Sequence, residues 1–337
     1  MWSQLLLPLA FTNMSCTSSA EEPRAQKQHD TDASMSASQT SDTDPTTQLA
    51  DLSFVMRGHV DAGGEVQNCL SIKLPADRGT IAVQSVESHY TAGSHHFLVY
   101  RGKVQDLAPE LAIEHICSAR EEAGNFNPTY YEAQAPDSSR ELPPGIAHVF
   151  QPGEVLLLTS HYLNATDHDL DTQATFVLHT MPSEQVEQEA GSIFFYNPSI
   201  SIPPASSVVA RRTCPISQDI NLALLWSHMH SRGVAFEART DDPGVDAPDG
   251  TLYESEDWSE PSPRQFPNDP PITVHAGSSI TYACTYENRT EMAIKQGLSA
   301  VTNEMCILHG MYWPRVDQRT EQCVMGVNIS GEPGALP

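Results

Sequence analysis

Positive charge is scarce in this sequence. Its 337 residues carry 18 Lys and Arg against 43 Asp and Glu, a formal net charge of −25. Such a surface repels a phosphate backbone, which excludes nucleic acid as a partner. Long apolar runs are missing as well. The run Leu5 to Phe11 is too short to cross a bilayer. No amphipathic stretch of helical length appears, and no short-period repeat. None of the seven cysteines lies in a CxxC pair, so a zinc ribbon or a thioredoxin-like motif is not indicated.

What remains is enough to fold. Hydrophobic residues make up 39% of the chain, which suffices for a packed core once a polar N-terminal part is set aside. Residues 1–16, "MWSQLLLPLAFTNMSC", read as the apolar part of an export signal, with Cys16 placed as the acylated cysteine of a lipoprotein. The absence of Lys or Arg there and the presence of Asn13 depart from that pattern. Residues 17–50 are Ser, Thr, Asp and Ala with almost no large apolar side chain. Such a segment cannot bury enough surface to offset its ordering entropy, and it is expected to be a disordered tether. The chain is therefore expected to be exported, periplasmic or extracellular, with a membrane tether through Cys16.

From residue 51 onward, short apolar or alternating runs are separated by Gly, Pro, Asp and Asn. That rhythm predicts an all-β protein of two tandem antiparallel β-sandwich domains, jelly-roll-like, over 51–187 and 188–331. The polar run "MPSEQVEQEA" marks the junction. Residues 102–145 predict long loops, and the Asp-, Pro- and Glu-rich residues 240–270 an exposed excursion. Beyond Cys16 there are six cysteines: Cys69, Cys117, Cys214, Cys284, Cys306 and Cys323. An even number in an exported chain predicts three disulfides and leaves their pairing open.

The histidines fall in suggestive places. "GSHHFLVY" puts His95 and His96 at the mouth of a strand. Neighbouring strand side chains point to opposite faces, so the two can share a metal only if the backbone bends there. Gly93 and Ser94 make a bulge plausible. His161 lies late in the apolar run "LLLTSHYLN". In "SHMH", His228 and His230 are two apart and project from one face of a strand. Met305 in "TNEMCILHG" is a candidate third ligand. A thioether with imidazoles suits copper, whereas zinc rarely takes a thioether. The plainer readings stay open at this point: hydrogen-bonded polar histidines, and Met305 as core filler.

Taken together, "NCLSIKLP", "GSHHFLVYRG", "LLLTSHYLN", "SHMH" and, most specifically, "GLSAVTNEMC" come in an order that resembles the copper type II, ascorbate-dependent monooxygenases. These include peptidylglycine α-hydroxylating monooxygenase and dopamine β-monooxygenase, and the resemblance covers about residues 52 to 325. It implies two copper ions per chain in separate mononuclear sites. His95, His96 and His161 would hold the electron-transferring copper. His228, His230 and Met305 would hold the copper that binds O2 and substrate, and these three are the catalytic candidates. Ascorbate or another one-electron reductant would be co-substrate, and a small molecule the hydroxylated partner. The resemblance also implies the pairs Cys214–Cys323 and Cys284–Cys306, which leaves Cys69–Cys117. His89, His179 and His275 are expected to be structural or surface residues.

Where the peptide-hydroxylating relatives grip a terminal carboxylate, this sequence has Trp226, Ile307 and His309. The loss of an arginine removes a bidentate guanidinium–carboxylate pair. A neutral or aromatic small molecule, or an apolar C–H on something larger, is thus expected in preference to a glycine-extended peptide. Two other classes stay open on sequence alone: an inactive copper-binding or carrier protein, and a secreted interaction module whose histidines bind nothing.

Overall fold

The computed structural model describes residues 50–102, 115–117, 129–316 and 320–329. The signal-like segment, Cys16 and the tether at 17–49 lie outside them, as does much of the loop-rich 102–145 region. The described residues are strands and connections, with no α-helix among them and only short 3-10 turns. None of their helical segments is long and apolar enough to cross a membrane.

Two sheets enclose the first core. One runs in the order Leu52–Val60, Leu170–Met181, Ile81–Tyr90, Ile146–Phe150, Gln188–Glu189, with Asp137–Glu141 also on Ile81–Tyr90. The other runs His115–Ile116, Glu65–Lys73, Val155–Leu163, Ser94–Gly102, Thr129–Ala133. Met56, Val83, Phe97, Tyr131, Leu156, Leu158 and Phe176 pack between them. Burying a side chain of this size is worth roughly 1.5–3 kcal/mol.

The second core repeats the plan. A seven-stranded sheet contains Arg264–Gln265, Ile220–His228, Ile307–Trp313, Gly191–Tyr196, Glu321–Val324 and Val327–Asn328 in that order, with Thr273–Val274 also on Ile220–His228. A four-stranded sheet runs Ser206–Pro215, Ser279–Asn288, Gly233–Thr240, Thr251–Ser255. Phe195, Leu222, Phe236, Tyr253, Tyr282 and Leu308 fill the space between. The disulfides are Cys69–Cys117, Cys214–Cys323 and Cys284–Cys306, the pairs that the resemblance implies. Cys214 and Cys323 are themselves part of the second core.

Burial along the strands shows how the halves meet. Outer strands keep one wet face, as in Leu52–Val60, where buried residues recur every fourth place. Thr129–Ala133 and Ile307–Trp313 are buried throughout, and Val155–Leu163 and Ile220–His228 nearly so. These four strands belong to the five-stranded and seven-stranded sheets. The two halves meet where Glu132 reaches Trp226 and His228, and the candidate histidines lie in that seam.

The 240–270 stretch differs from the expected exposed excursion. Thr251–Ser255 is a fourth strand on Gly233–Thr240, and Arg264–Gln265 pairs with Leu224 and Leu225. Leu252, Tyr253 and Phe266 are buried. Polar composition hid three apolar anchors that tie the stretch to the core. The polar remainder sits in the turns between them.

Candidate metal centre

The paired histidines owe their arrangement to a bulge. In the pairing of Ser94–Gly102 with Val155–Leu163, Ser94 faces Tyr162 while His96 faces His161, so the register slips at His95. Gly93 enters this bend with φ 101°, a conformation that L side chains rarely adopt. The Ser94 hydroxyl donates to the carbonyls of His96 and His161 and holds the bend closed. An extra residue on one strand re-aims the side chains beside it. His95 and His96 therefore lie with ring centroids 4.8 Å apart, and His161 lies 4.9 Å from His96. One ligand atom from each of His95, His96 and His161 falls within 4.8 Å of the others.

The second pair stands at the end of Ile220–His228, with His230 just past it in a turn. His228 Nδ1–H donates to Glu132 Oε1 (3.2 Å) and Gln134 Oε1 (3.1 Å). His230 Nδ1–H donates to the Asn303 carbonyl at 3.0 Å. Both contacts place the hydrogen on Nδ1 and leave the Nε2 lone pair for a ligand. The turn is braced by Glu304, whose carboxylate accepts from the backbone N–H groups of His230 and Arg232. Burial raises the Glu304 pKa, and those two N–H groups work against the rise. Met305 is half-buried, and its carbonyl accepts the Tyr286 hydroxyl at 2.6 Å. Its neighbour Cys306 is tied to Cys284.

The two sets converge. Ligand atoms of His95, His228 and His230 also lie within 4.8 Å of one another, so His95 belongs to both groups. The His95 ring centroid is 4.8 Å from that of His230 and 5.4 Å from that of His228. The resemblance implies two separate sites. Here the sheets that carry them face each other, and five imidazoles form one buried cluster. A third group, His59 with Asp61 and Asp169, is wholly exposed and is an ordinary surface pairing.

The electrostatics suit a metal. Burial, reinforced by the neighbouring imidazoles, pushes the pKa values of His95 and His96 far below the usual histidine value, and that of His230 down to about 3. These rings are neutral, which is the ligand form of histidine. His95 Nε2, His96 Nδ1 and His230 Nε2 are buried without any hydrogen-bond partner. Buried ring nitrogens left without a partner are what a cation would satisfy. The donor set of imidazoles, with a thioether-bearing residue next to the Glu304 brace, fits copper. His161 is bound on both sides: Nε2 donates to Glu65 Oε1 at 2.9 Å, and Nδ1 accepts from His96 Nε2 at 3.3 Å. That His161 contact, named first among the causes, holds the Glu65 carboxyl below its ordinary pKa. Glu65 also accepts from Ser299 and Ala300 across the seam, docking the "GLSAVTNEMC" segment against the first histidine set.

Trp226 and its neighbours are closely engaged with one another. Trp226 is 2% exposed and its indole N–H donates to Glu132 Oε2. Its ring stacks on His309, centroids 5.6 Å apart at 8°, and Arg140 Cζ lies 4.9 Å over it. Burial lowers the His309 pKa to about 4. Glu132 is 1% exposed. Burial opposes its ionisation, but the His228 hydrogen bond and the nearby His309, His228 and Arg140 hold its pKa below the usual carboxylate value. Ile307, buried, pairs in register with His228.

The sequence reading missed Glu65, Glu132, Gln134 and Glu304. One signal was present: Glu132 is the single charged residue of a wholly buried strand, TYYEA. The remaining histidines named earlier stand apart, with His89 on Asp137, His179 on Asp51 and His275 on Asp242. Beyond the seam, a groove of about 440 Å³ is lined by residues including Arg232, Val234, Trp258 and Arg289. Trp258 lies 6.5 Å from the His95 ring, and its carbonyl accepts from Gln134 Nε2.

Comparison with known proteins points in one direction. No curated protein matches the chain. Among solved structures, the major capsid protein P2 of bacteriophage PM2 is similar over 77% of this chain and 99% of its own, at 10% identity and a TM-score of 0.33. PNGF-II is similar over 76% of this chain and 60% of its own, at 10% identity and a TM-score of 0.29. At such scores neither likeness carries an argument. A family model does match: residues 190–330 fit "Copper type II ascorbate-dependent monooxygenase, C-terminal domain". This range holds the seven-stranded sheet, His228, His230 and Met305. On that match, residues 190–330 form a C-terminal domain of the copper type II, ascorbate-dependent monooxygenase family.

Proposed function

We propose that the chain is a copper monooxygenase that hydroxylates a substrate C–H with O2 and a one-electron reductant such as ascorbate. The observation that carries this reading is the cluster of five buried imidazoles, two of them in the matched family domain, with unpartnered nitrogens on His95, His96 and His230. His95, His96 and His161 would hold one copper, and His228, His230 and Met305 the other. Bound copper would supply the one-electron steps and the activation of O2.

The chain's own residues set the conditions for that chemistry. Glu132, Gln134 and the Asn303 carbonyl fix the tautomers of His228 and His230 so that Nε2 faces the cluster. Glu304 keeps the turn after the strand in one shape. Two facing sheets keep bulk water from the ligands, since all five histidines are at most 9% exposed. Trp226 is buried against His309 and Arg140, and its N–H is already spent on Glu132. This supports a neutral or aromatic small-molecule substrate over a peptide carboxylate. The three disulfides suit an oxidising, extracytoplasmic compartment, and attachment through acylated Cys16 is part of the same proposal.

The test is copper stoichiometry followed by a screen for ascorbate-dependent O2 uptake. Two coppers per chain and substrate-linked uptake are expected. Copper without uptake would point to a carrier, and absence of copper to an interaction module.

A further inference from the structure

The most constrained group in the seam, after the histidines, is a carboxylate from the other half of the molecule. Glu132 sits on Thr129–Ala133 of the five-stranded sheet and reaches Trp226 and His228 on the seven-stranded sheet. Those two residues are two apart on one strand and so face the same way. Trp226 Nε1–H donates to Oε2 and His228 Nδ1–H to Oε1, so each oxygen has its own donor. Arg140 completes the surroundings. Its guanidinium lies over the Trp226 ring, its Nη2 donates to the Glu132 carbonyl at 3.2 Å, and its Nε is buried without a partner.

We propose that Glu132 is a positioning residue for the His228 ligand and a built-in carboxylate that occupies the place beside His228 where a substrate carboxylate could otherwise be held. The proposal rests on the copper reading for the role of His228, but the occupancy of that place does not. A carboxylate hydrogen-bonded behind a ligand imidazole fixes its orientation and raises its basicity. Gln134 also accepts from His228, so it shares the orienting role. It carries no charge, and its amide N–H groups are directed to the Trp258 carbonyl. The charge is therefore supplied by Glu132. With its oxygens engaged by Trp226 and His228, the carboxylate takes up both of those donors ahead of any incoming anion. Removing it would leave a carboxylate-sized space facing the indole N–H, the His228 N–H and the buried Arg140 cation. Those are the elements of an anion site.

The experiment is chemical rescue. In Glu132→Ala, the Trp226 indole N–H resonance of the metal-free protein should move upfield. The copper(II) affinity of the His228 site, measured by chelator competition, should fall by about 10–100-fold with an altered EPR spectrum. Sodium acetate or formate should restore both in the variant and leave the wild type unchanged. Should Glu132→Ala not fold, Glu132→Gln keeps the shape and removes the charge. It should lose copper affinity without responding to acetate. An indole resonance that acetate does not restore would overturn the occupancy claim. Unchanged copper affinity in both variants would overturn the positioning role. If the wild type binds no copper, the functional reading fails, and the indole resonance still decides whether a carboxylate belongs in this place.

Discussion

A one-residue slip of register at His95 has consequences beyond its own strand. It turns two sequence neighbours into the same space and lets His95 approach His228 and His230 as well as His96 and His161. His95→Ala should therefore weaken copper binding at both histidine sets, whereas His161→Ala should weaken only the first. Copper counts on the purified variants by elemental analysis check this, and equal losses in the two variants would contradict it. Met305→His should keep copper but abolish hydroxylation, because a harder ligand shifts preference away from Cu(I). Full activity in that variant would make Met305 core packing. At this scale the clustering histidines were legible because adjacent and alternate imidazoles are rare and the bulge is announced by Gly93 and Ser94. Glu65, Glu132 and Glu304 were not. In a chain with 43 acidic residues, only Glu132, the single charged residue of TYYEA, carries a local mark that sets it apart. Strand pairing within the first half brings Glu65 to His161, and packing across the seam brings Glu132 to His228.

Strands that are buried on both faces carry the site, and they tolerate little change. Gly310 lies in Ile307–Trp313, opposite Leu225 of the strand that ends in His228. A Cβ there would stand 2.6 Å from Leu225 Cδ2 and 2.7 Å from the Leu224 carbonyl oxygen. Since backbone cannot yield cheaply, Gly310→Ala should cost about 1–3 kcal/mol. Urea denaturation measures it, and an unchanged midpoint would mean that the sheets are less closely packed than described. Strand rhythm was readable from alternation and turn residues, so the all-β sandwich class could be predicted. The strand Thr251–Ser255 was not readable. It lies in a stretch rich in Asp, Pro and Glu, and its anchor Tyr253 is held by tertiary packing that composition does not reveal.

For the molecule as a whole, closing two sheets over histidines has a pH-dependent cost. His230 and His148 are pushed to about 3 by burial, against an ordinary value of 6.5. The unfolded chain takes up protons near that ordinary value while the folded chain does not. Stability from these groups is thus full above about pH 6.5 and falls as the pH drops toward their folded values. Each should lose the fold about 2–3 kcal/mol by about pH 4.5. Denaturant titrations of metal-free protein at two pH values check the sign, and a fold that gains stability on acidification would refute it. The closeness of the two histidine sets was not legible from sequence, which shows only that each half carries its own. How two sheets approach is decided across the seam by contacts such as Glu65 to Ser299 and Glu132 to Trp226.

The most direct test of the central claim is O2 consumption by the copper-loaded protein with ascorbate and a neutral aromatic substrate such as a phenethylamine-like compound, read beside the mass of the product. The account predicts uptake that needs copper, ascorbate and substrate together, a product heavier by one oxygen atom, and loss of both in His228→Ala. Uptake that ignores the substrate or persists in His228→Ala would contradict it, as would hydroxylation of glycine-extended peptides much faster than neutral compounds.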